Sequence, residues 1–300
     1  MDKRPVLFFD SGAGGLPYCR RFRVRNPAET VVYAADRANF PYGSKEREEL
    51  IRLCTSLVSR IAEIFDPKLA AVVCNTASVS ALEALRKSFP GIPFVGTVPA
   101  VKPAVLASRK RHIGVLGTSR TIGDPCIAEL AARYGPDCAI TGIAAPELVD
   151  FVERRCDRAD REERRSVAAS YIEKFRAAGA DSVVLGCTHF LFLLDEFKAA
   201  AGGRGPAEPA LGIYDSVEGV SRRIEALLDE GDLRAETGTA ETAGGGLRRE
   251  TPSGGILLIS GSAPSGAVWQ KRAEAFGLEL RRLADIGPGE YRKTQAAVPL

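Results

Sequence analysis

Short apolar, β-branched runs alternate along the chain with segments whose apolar positions recur every three or four residues. Val6–Phe9 and Val31–Ala35 are continuous apolar runs bounded by polar residues, the pattern of a strand buried on both faces. Leu50, Leu53, Leu57, Ile61 and Ile64 place one apolar stripe on a helix over Lys45–Phe65. Leu69–Val73 reads as the next strand, and Val79, Leu82 and Leu85 mark a helix that ends by Pro90-Gly91. The alternation then restarts. His112–Leu116, Ala139–Ile143, Ser182–Leu185 and Leu211–Tyr214 read as strands. Helices are marked by Ile127, Leu130 and Tyr134, by Val167, Tyr171 and Phe175, and by Val217, Val220, Ile224 and Leu227. Strands alternating with helices predict an α/β fold with mainly parallel sheets. Glu230–Gly255 has Gly, Ala, Thr and charge but no apolar period, and reads as a linker or long surface loop. A strand (Ile256–Ser260), a helix (Val268–Phe276) and a last strand (Leu278–Leu283) follow.

The alternation contains a repeat. Phe8–Asp10 ends a strand and runs into Ser11-Gly12; Val115–Gly117 does the same into Thr118-Ser119. Later in the first half comes Val72-Val73-Cys74-Asn75-Thr76, and in the second Leu185-Gly186-Cys187-Thr188-His189. Each half therefore has one strand ending in hydroxyl residues and a later one ending in a cysteine followed by polar residues. Ligands of open α/β sheets bind beyond the carboxyl ends of the strands. Two related units facing each other would bring Cys74 and Cys187 to one ligand from opposite sides. At about 150 residues per domain, a chain of 300 residues also divides into two.

Composition narrows the function. The chain is 45% hydrophobic and 26% charged, ordinary for a soluble globular protein. A formal net charge of +3 argues against a nucleic-acid binder that works through bulk charge. No apolar run approaches a membrane span, and Val6–Phe9 is too short for a secretory leader. Seven cysteines with no C-x-x-C spacing and only two histidines do not form a zinc pattern. Free thiols without an export signal lead us to expect a reducing cytoplasm.

Cysteine in a core usually serves as a small hydrophobe. Cys54, beside the Leu50–Leu57 stripe, fits that role, and Cys19, Cys126, Cys138 and Cys156 read as core or inert surface. Cys74 and Cys187 differ because each ends a strand and precedes polar residues that an apolar slot does not need. Asp10-Ser11-Gly12-Ala13-Gly14-Gly15 follows a strand but is a poor dinucleotide fingerprint, since Pro17 stands where the third glycine belongs. It reads as a tight turn exposing Asp10 and Ser11, its glycines allowing positive φ and close backbone approach. His189, two residues from Cys187, is either a structural histidine or part of a thiol–imidazole pair. His112, after Arg109-Lys110-Arg111, is expected to be solvated. The mixed-sign run Glu153–Arg165 reads as a solvated helix face. Trp269 is expected to pack the last helix onto the body.

Five ordered motifs, together, resemble the cofactor-independent racemases of the aspartate/glutamate racemase family. They are Phe9–Gly15 (F-D-S-G-A-G-G), Pro41–Gly43 (P-Y-G), Cys74–Ser78 (C-N-T-A-S), Gly117–Ile122 (G-T-S-R-T-I) and Gly186–His189 (G-C-T-H). Leu148-Val149 with Val152-Glu153, and Tyr214-Asp215-Ser216, resemble further family segments. The chain departs from the family at Pro17-Tyr18, at Thr97–Pro103 and at Phe190-Leu191. The resemblance implies two similar α/β domains with mainly parallel sheets facing each other across an interdomain active site. Residues 1–98, completed by 208–230 and 256–285, would form the first domain and 99–207 the second, with a linker over 231–255 and a flexible tail over 287–300. It makes Cys74 and Cys187 the two catalytic bases, Asp10 the helper of Cys74, and His189 and Glu153 helpers on the Cys187 side. Ser11, Pro41, Tyr42, Gly43, Asn75, Thr76, Thr118, Thr121 and Thr188 would hold the substrate. It further implies glutamate as substrate, no cofactor or metal, a homodimer, no nucleic-acid or membrane partner, and a product used for peptidoglycan precursors.

The chemistry suits two thiols. Racemisation removes the α-proton from one face and returns a proton to the other, which two opposed bases do without moving the substrate. One cysteine must be thiolate and the other thiol. A neighbouring carboxylate alone disfavours a thiolate, so Asp10 would accept a proton in transit or orient its thiol. Three other readings remain open: a racemase of aspartate or another acidic amino acid, a thiol hydrolase using Cys187 and His189, and a binding protein on the same scaffold.

Overall fold

The computed structural model describes residues 2–205, 209–235, 254–261 and 266–285. Residues 236–253 of the expected linker and the whole of the expected 287–300 tail lie outside the described residues. The first half runs β1 (Val6–Asp10), α1 (Leu16–Arg25), β2 (Val31–Ala35), α2 (Arg47–Phe65), β3 (Leu69–Val72), α3 (Asn75–Ser88) and β4 (Phe94–Gly96). The second runs α4 (Val101–Ala107), β5 (His112–Gly117), α5 (Ser119–Gly123), α6 (Pro125–Tyr134), β6 (Ala139–Ala144), α7 (Pro146–Arg154), α8 (Arg161–Ala177), β7 (Ser182–Gly186), α9 (Leu194–Ala200), β8 (Gly212–Tyr214) and α10 (Val217–Glu230). β9 (Gly255–Ile259), α11 (Gly266–Ala275) and β10 (Leu278–Arg282) close the described chain.

The strands form two parallel sheets, ordered β10-β9-β2-β1-β3-β4 and β6-β5-β7-β8. The repeat is visible here. With β9 and β10 set aside, both sheets have the same order, β1 and β5 each lying between the next two strands of its own half. The expected α/β fold class holds, and one boundary needs correction. Residues 208–230 do not join the first unit as a block: β8 pairs with β7 and extends the second sheet, in the place β4 takes in the first. Only α10 returns to the first unit, where Tyr18 and Ser216 hydroxyls hydrogen-bond at 2.9 Å and Arg25 pairs with Glu225. A three-residue strand preceding an amphipathic helix offers no sequence signal of which sheet it joins.

Burial explains the apolar runs. Every residue of β1, β2, β3, β7 and β9 is buried, as expected of parallel strands covered by helices on both faces. Leu7, Phe9, Val32 and Ala34 face α2 and α3, while Ile113, Val115 and Val184 face α4 and α6. The third cluster joins the two units. Val6, Phe8 and Tyr33 of the first sheet share one apolar core with Leu116, Val183 and Leu185 of the second. Among the described residues no helix is long and apolar enough to cross a membrane.

The run Glu153–Arg165 is not one solvated helix face. α7 ends at Arg154, and α8 starts anew with the Asp160 carboxylate accepting from the Glu163 amide. Most of the run is exposed, but Glu153 turns inward and is buried. His112 is only part-buried and hydrogen-bonds the Thr141 hydroxyl. Trp269 is buried, packing α11 onto the body.

Candidate active site

The two cysteines occupy equivalent backbone positions. Cys74 (φ −145°, ψ 117°) leaves β3 and caps α3; Cys187 (φ −140°, ψ 133°) leaves β7 and caps the 3₁₀ turn Thr188–Leu193. Both line one cavity of about 420 Å³, a volume that suits a small metabolite. Ser11, Pro41, Tyr42, Gly43, Asn75, Thr76, Thr118, Thr188 and His189 line it too. Asp10, Glu153 and Thr121 stand behind the walls. Phe40, Ser44, Ser119, Pro146, Val149, Asp150 and Arg154 complete the lining and were not singled out one by one from the sequence.

The polar groups in the walls are mostly held in place by hydrogen bonds. Thr76, Thr118 and Thr121 hydroxyls form a chain with both steps at 3.0 Å, tying the first unit to the second. The Tyr42 hydroxyl donates to Asp36 at 2.6 Å, and the Ser260 hydroxyl donates to the other Asp36 oxygen. Asn75 is the exception: its side-chain oxygen and nitrogen are both buried and have no hydrogen-bond partner. A buried amide left unpaired in this way costs free energy that a ligand carboxylate or ammonium would recover.

The glycines of the Asp10 turn are there for space. None of Gly12, Gly14 and Gly15 has positive φ, contrary to the sequence-based reading. A Cβ on Gly14 would lie 2.5 Å from both His189 Nδ1 and Thr188 Oγ1, so the turn packs directly against the Cys187 loop. Asp10 sits at that seam. Its carboxylate accepts from Thr188 Oγ1 at 2.7 Å, from the Ser11 hydroxyl at 3.1 Å and from the Gly12 amide at 3.3 Å. Its hydrogen bonds thus go to its own turn and to the Cys187 loop rather than to Cys74. Burial, and then the Asp10 charge, push the Cys74 thiol well above its ordinary pKa, so Cys74 rests as a thiol.

Behind Cys187 lies a buried relay. His189 Nδ1 is 3.8 Å from Cys187 Sγ, and His189 Nε2 is 3.0 Å from Glu153 Oε1. The Ala13 amide donates to the same Glu153 oxygen at 2.6 Å. Burial opposes charge on His189, but the hydrogen bonds to Cys187 and Glu153 and the Asp10 charge outweigh it and raise the imidazole to about 10. Burial likewise opposes the Glu153 carboxylate. His189, Arg272 and Arg37 overcome it and lower Glu153 to about 2. The pair is therefore an imidazolium and a carboxylate at neutral pH. Arg37 and Arg272 had no sequence signal, being single arginines in segments without a motif.

Fold and cavity together define a class: a double α/β protein that presents one thiol from each unit to a shared cavity. The sequence profile described as Asp/Glu/Hydantoin racemase matches residues 20–218, and the chain belongs to that racemase family. It is 41% identical over 227 residues to the glutamate racemase of Sphingopyxis alaskensis, covering 75% of this chain and 82% of the relative. It is 39% identical over 220 residues to that of Treponema pallidum, covering 73% and 80%. Among solved structures, Escherichia coli glutamate racemase in complex with L-glutamate and the activator UDP-MurNAc-Ala superimposes with a TM-score of 0.74 at 28% identity, covering 93% of this chain and 97% of that one.

Proposed function

We propose that the protein interconverts L- and D-glutamate without a cofactor, Cys74 and Cys187 acting as the two acid–base groups. The observation that carries this is the placement of both thiols, at equivalent strand ends of two related sheets, on one cavity. The named relatives support glutamate as the substrate. The unpartnered Asn75 amide, the Thr76–Thr118–Thr121 hydroxyls, Ser11, Thr188 and the Pro41-Tyr42-Gly43 turn offer the polar groups that bind an amino acid bearing two carboxylates.

In the L-to-D direction the Cys187 thiolate removes the α-proton, and the Cys74 thiol delivers a proton to the opposite face. The reverse direction exchanges the roles. Charge building on the α-carboxylate is met by hydrogen-bond donors that are already fixed in place. The His189 imidazolium, one contact from Cys187 Sγ, passes a proton to the sulfur and, as the neutral imidazole it then becomes, takes one back. Asp10, joined to Thr188, holds the two units in register at the seam. We assign the product to the cytoplasmic supply of D-glutamate for peptidoglycan precursors, and the working form to a homodimer.

Incubating the protein with L-glutamate in D₂O tests the reading. Loss of the α-proton signal together with decay of optical rotation is expected. Binding without exchange would sink it, as would hydrolysis of a thioester or amide that survives Cys74→Ala.

A further inference from the structure

The relay behind Cys187 is completed by a residue from far along the chain. Arg272 lies on α11, beyond residues 20–218 that match the family profile. Its side chain is 3% exposed. Nη1 donates to Glu153 Oε2 at 3.0 Å, Nη2 to the Val152 and Glu153 carbonyls at 2.9 and 3.3 Å, and Nε to Asp157 at 2.9 Å. One guanidinium thus grips both the carboxylate of Glu153 and the last turn of the helix that carries it. Arg37 Nη1 stands 3.4 Å from the same Glu153 oxygen. Trp269, also on α11, lies 5.2 Å from the Arg272 guanidinium and 5.8 Å from that of Arg37.

We propose that Arg272 is a positioning residue for proton transfer at Cys187, acting through Glu153 and His189. The proposal rests on Cys187 being one of the two bases. Its physics is a division of the carboxylate. Oε1 serves His189 and the Ala13 amide, while Oε2 is reserved for two guanidiniums. Held at Oε2 by Arg272 and at Oε1 by His189 and the Ala13 amide, the carboxylate has a fixed plane, and with it the imidazole a fixed aim at Cys187. The positive charge also draws on Glu153, which lets His189 release its proton more readily than an uncompensated carboxylate would. The charged and titratable groups facing this pair are Arg272 from α11, Arg37 from the turn after β2, Tyr33 from β2, Asp10 from β1 and Cys187 from the turn after β7.

The test compares Arg272→Met and Arg272→Lys with the wild type in the full chain, measuring kcat and KM for both enantiomers across pH. Removing a nearby cation raises the pKa of every group it faces, so both limbs of the kcat/KM profile should move to higher pH in Arg272→Met. kcat should fall about 10- to 100-fold with KM little changed, the size of loss that misaligned reacting groups produce. Arg272→Lys keeps the charge without the fork; its limbs should stay near wild type and kcat fall about 3- to 10-fold. A folded Arg272→Met with wild-type kcat and limbs overturns the proposal. So does an equal loss in both variants with no movement of either limb, which is what a purely structural arginine predicts. If Arg272→Met does not fold, Arg272→Lys decides alone: lowered kcat at unchanged KM supports positioning, and wild-type kcat or a change in KM only overturns it. Cys187→Ala measured alongside keeps the two ideas apart, because turnover surviving in that variant defeats the two-thiol reading whatever Arg272 does.

Discussion

Cys54 and Cys74 show how one residue type acquires different tasks. Cys54 is sealed in the α2 core, and burial pushes its thiol up to about 12. Cys74 is buried too, but it lines the cavity and caps a helix. Cys74→Ala and Cys187→Ala should each abolish net racemisation with the fold intact, because each removes one face's base. Cys54→Ala should lower the unfolding midpoint and leave kcat within about twofold, since its sulfur is buried in the α2 core and does not line the cavity. Equal inactivation of all three, in a racemisation assay paired with circular dichroism, would refute the assignment. The Glu153–His189 pair makes a separate prediction about pH. The lowered Glu153 pKa contributes stability that is present above 4.5 and lost as pH falls through about 2. The raised His189 pKa contributes stability present below 6.5 and lost as pH rises through about 10. Glu153→Gln should therefore flatten the fall in urea midpoint between pH 6.5 and 10. A wild-type and variant pair with parallel curves in that window would show that the two groups are not coupled.

Among the elements, α2 and the Asp10 turn answer to different forces. α2 is an amphipathic helix with Glu48 and Glu49 in its first turn, where they favour the helix dipole, and it stops at Asp66 in the left-handed region. Its apolar stripe was legible because periodicity is a local property. Ile61→Ala, in that stripe, should cost about 2–5 kcal/mol of stability and spare kcat, as cavity-forming changes in a core do. The Asp10 turn has no such pattern; its small residues are set by the neighbour across the seam. Gly14→Ala should cut kcat far more than it lowers the melting temperature, because the new methyl displaces His189 and Thr188 rather than core atoms. Full activity in Gly14→Ala would mean the turn does not abut the Cys187 loop in solution. The three-residue strand β4 has no reading as a strand in the sequence, and β8, legible as a strand, joins the second sheet rather than the first unit, because so short a run does not name its partner.

At the scale of the molecule, the two units do not have separate cores. One apolar cluster contains residues of both sheets, and the Ala13–Glu153, Asp10–Thr188 and Thr76–Thr118 hydrogen bonds cross between them. Thermal unfolding should therefore be one cooperative transition, coincident by fluorescence of the single Trp269 and by far-ultraviolet circular dichroism. Two resolved transitions would mean that the units melt independently. β9 pairs with β2, and α11 brings Trp269 and Arg272 against the relay. A chain ending at Arg234 should lose activity and aggregate through the exposed edge of β2; a soluble, active truncated chain would disprove the dependence.

The sequence by itself determined the alternation of strands and helices, the internal repeat and the pair of cysteines at strand ends. Those features are written locally, in hydrophobic period and in residues adjacent along the chain. It also yielded the motif residues that line the cavity, because each strand end delivers its next few residues to one edge of its sheet. Only the tertiary structure decided that Glu153 turns inward from a charged run, that β8 joins the second sheet, and that Arg37 and Arg272 share one carboxylate oxygen. Each of these depends on which distant segment supplies a partner. A buried charge is tolerable only where such partners converge, and that convergence belongs to the packed molecule.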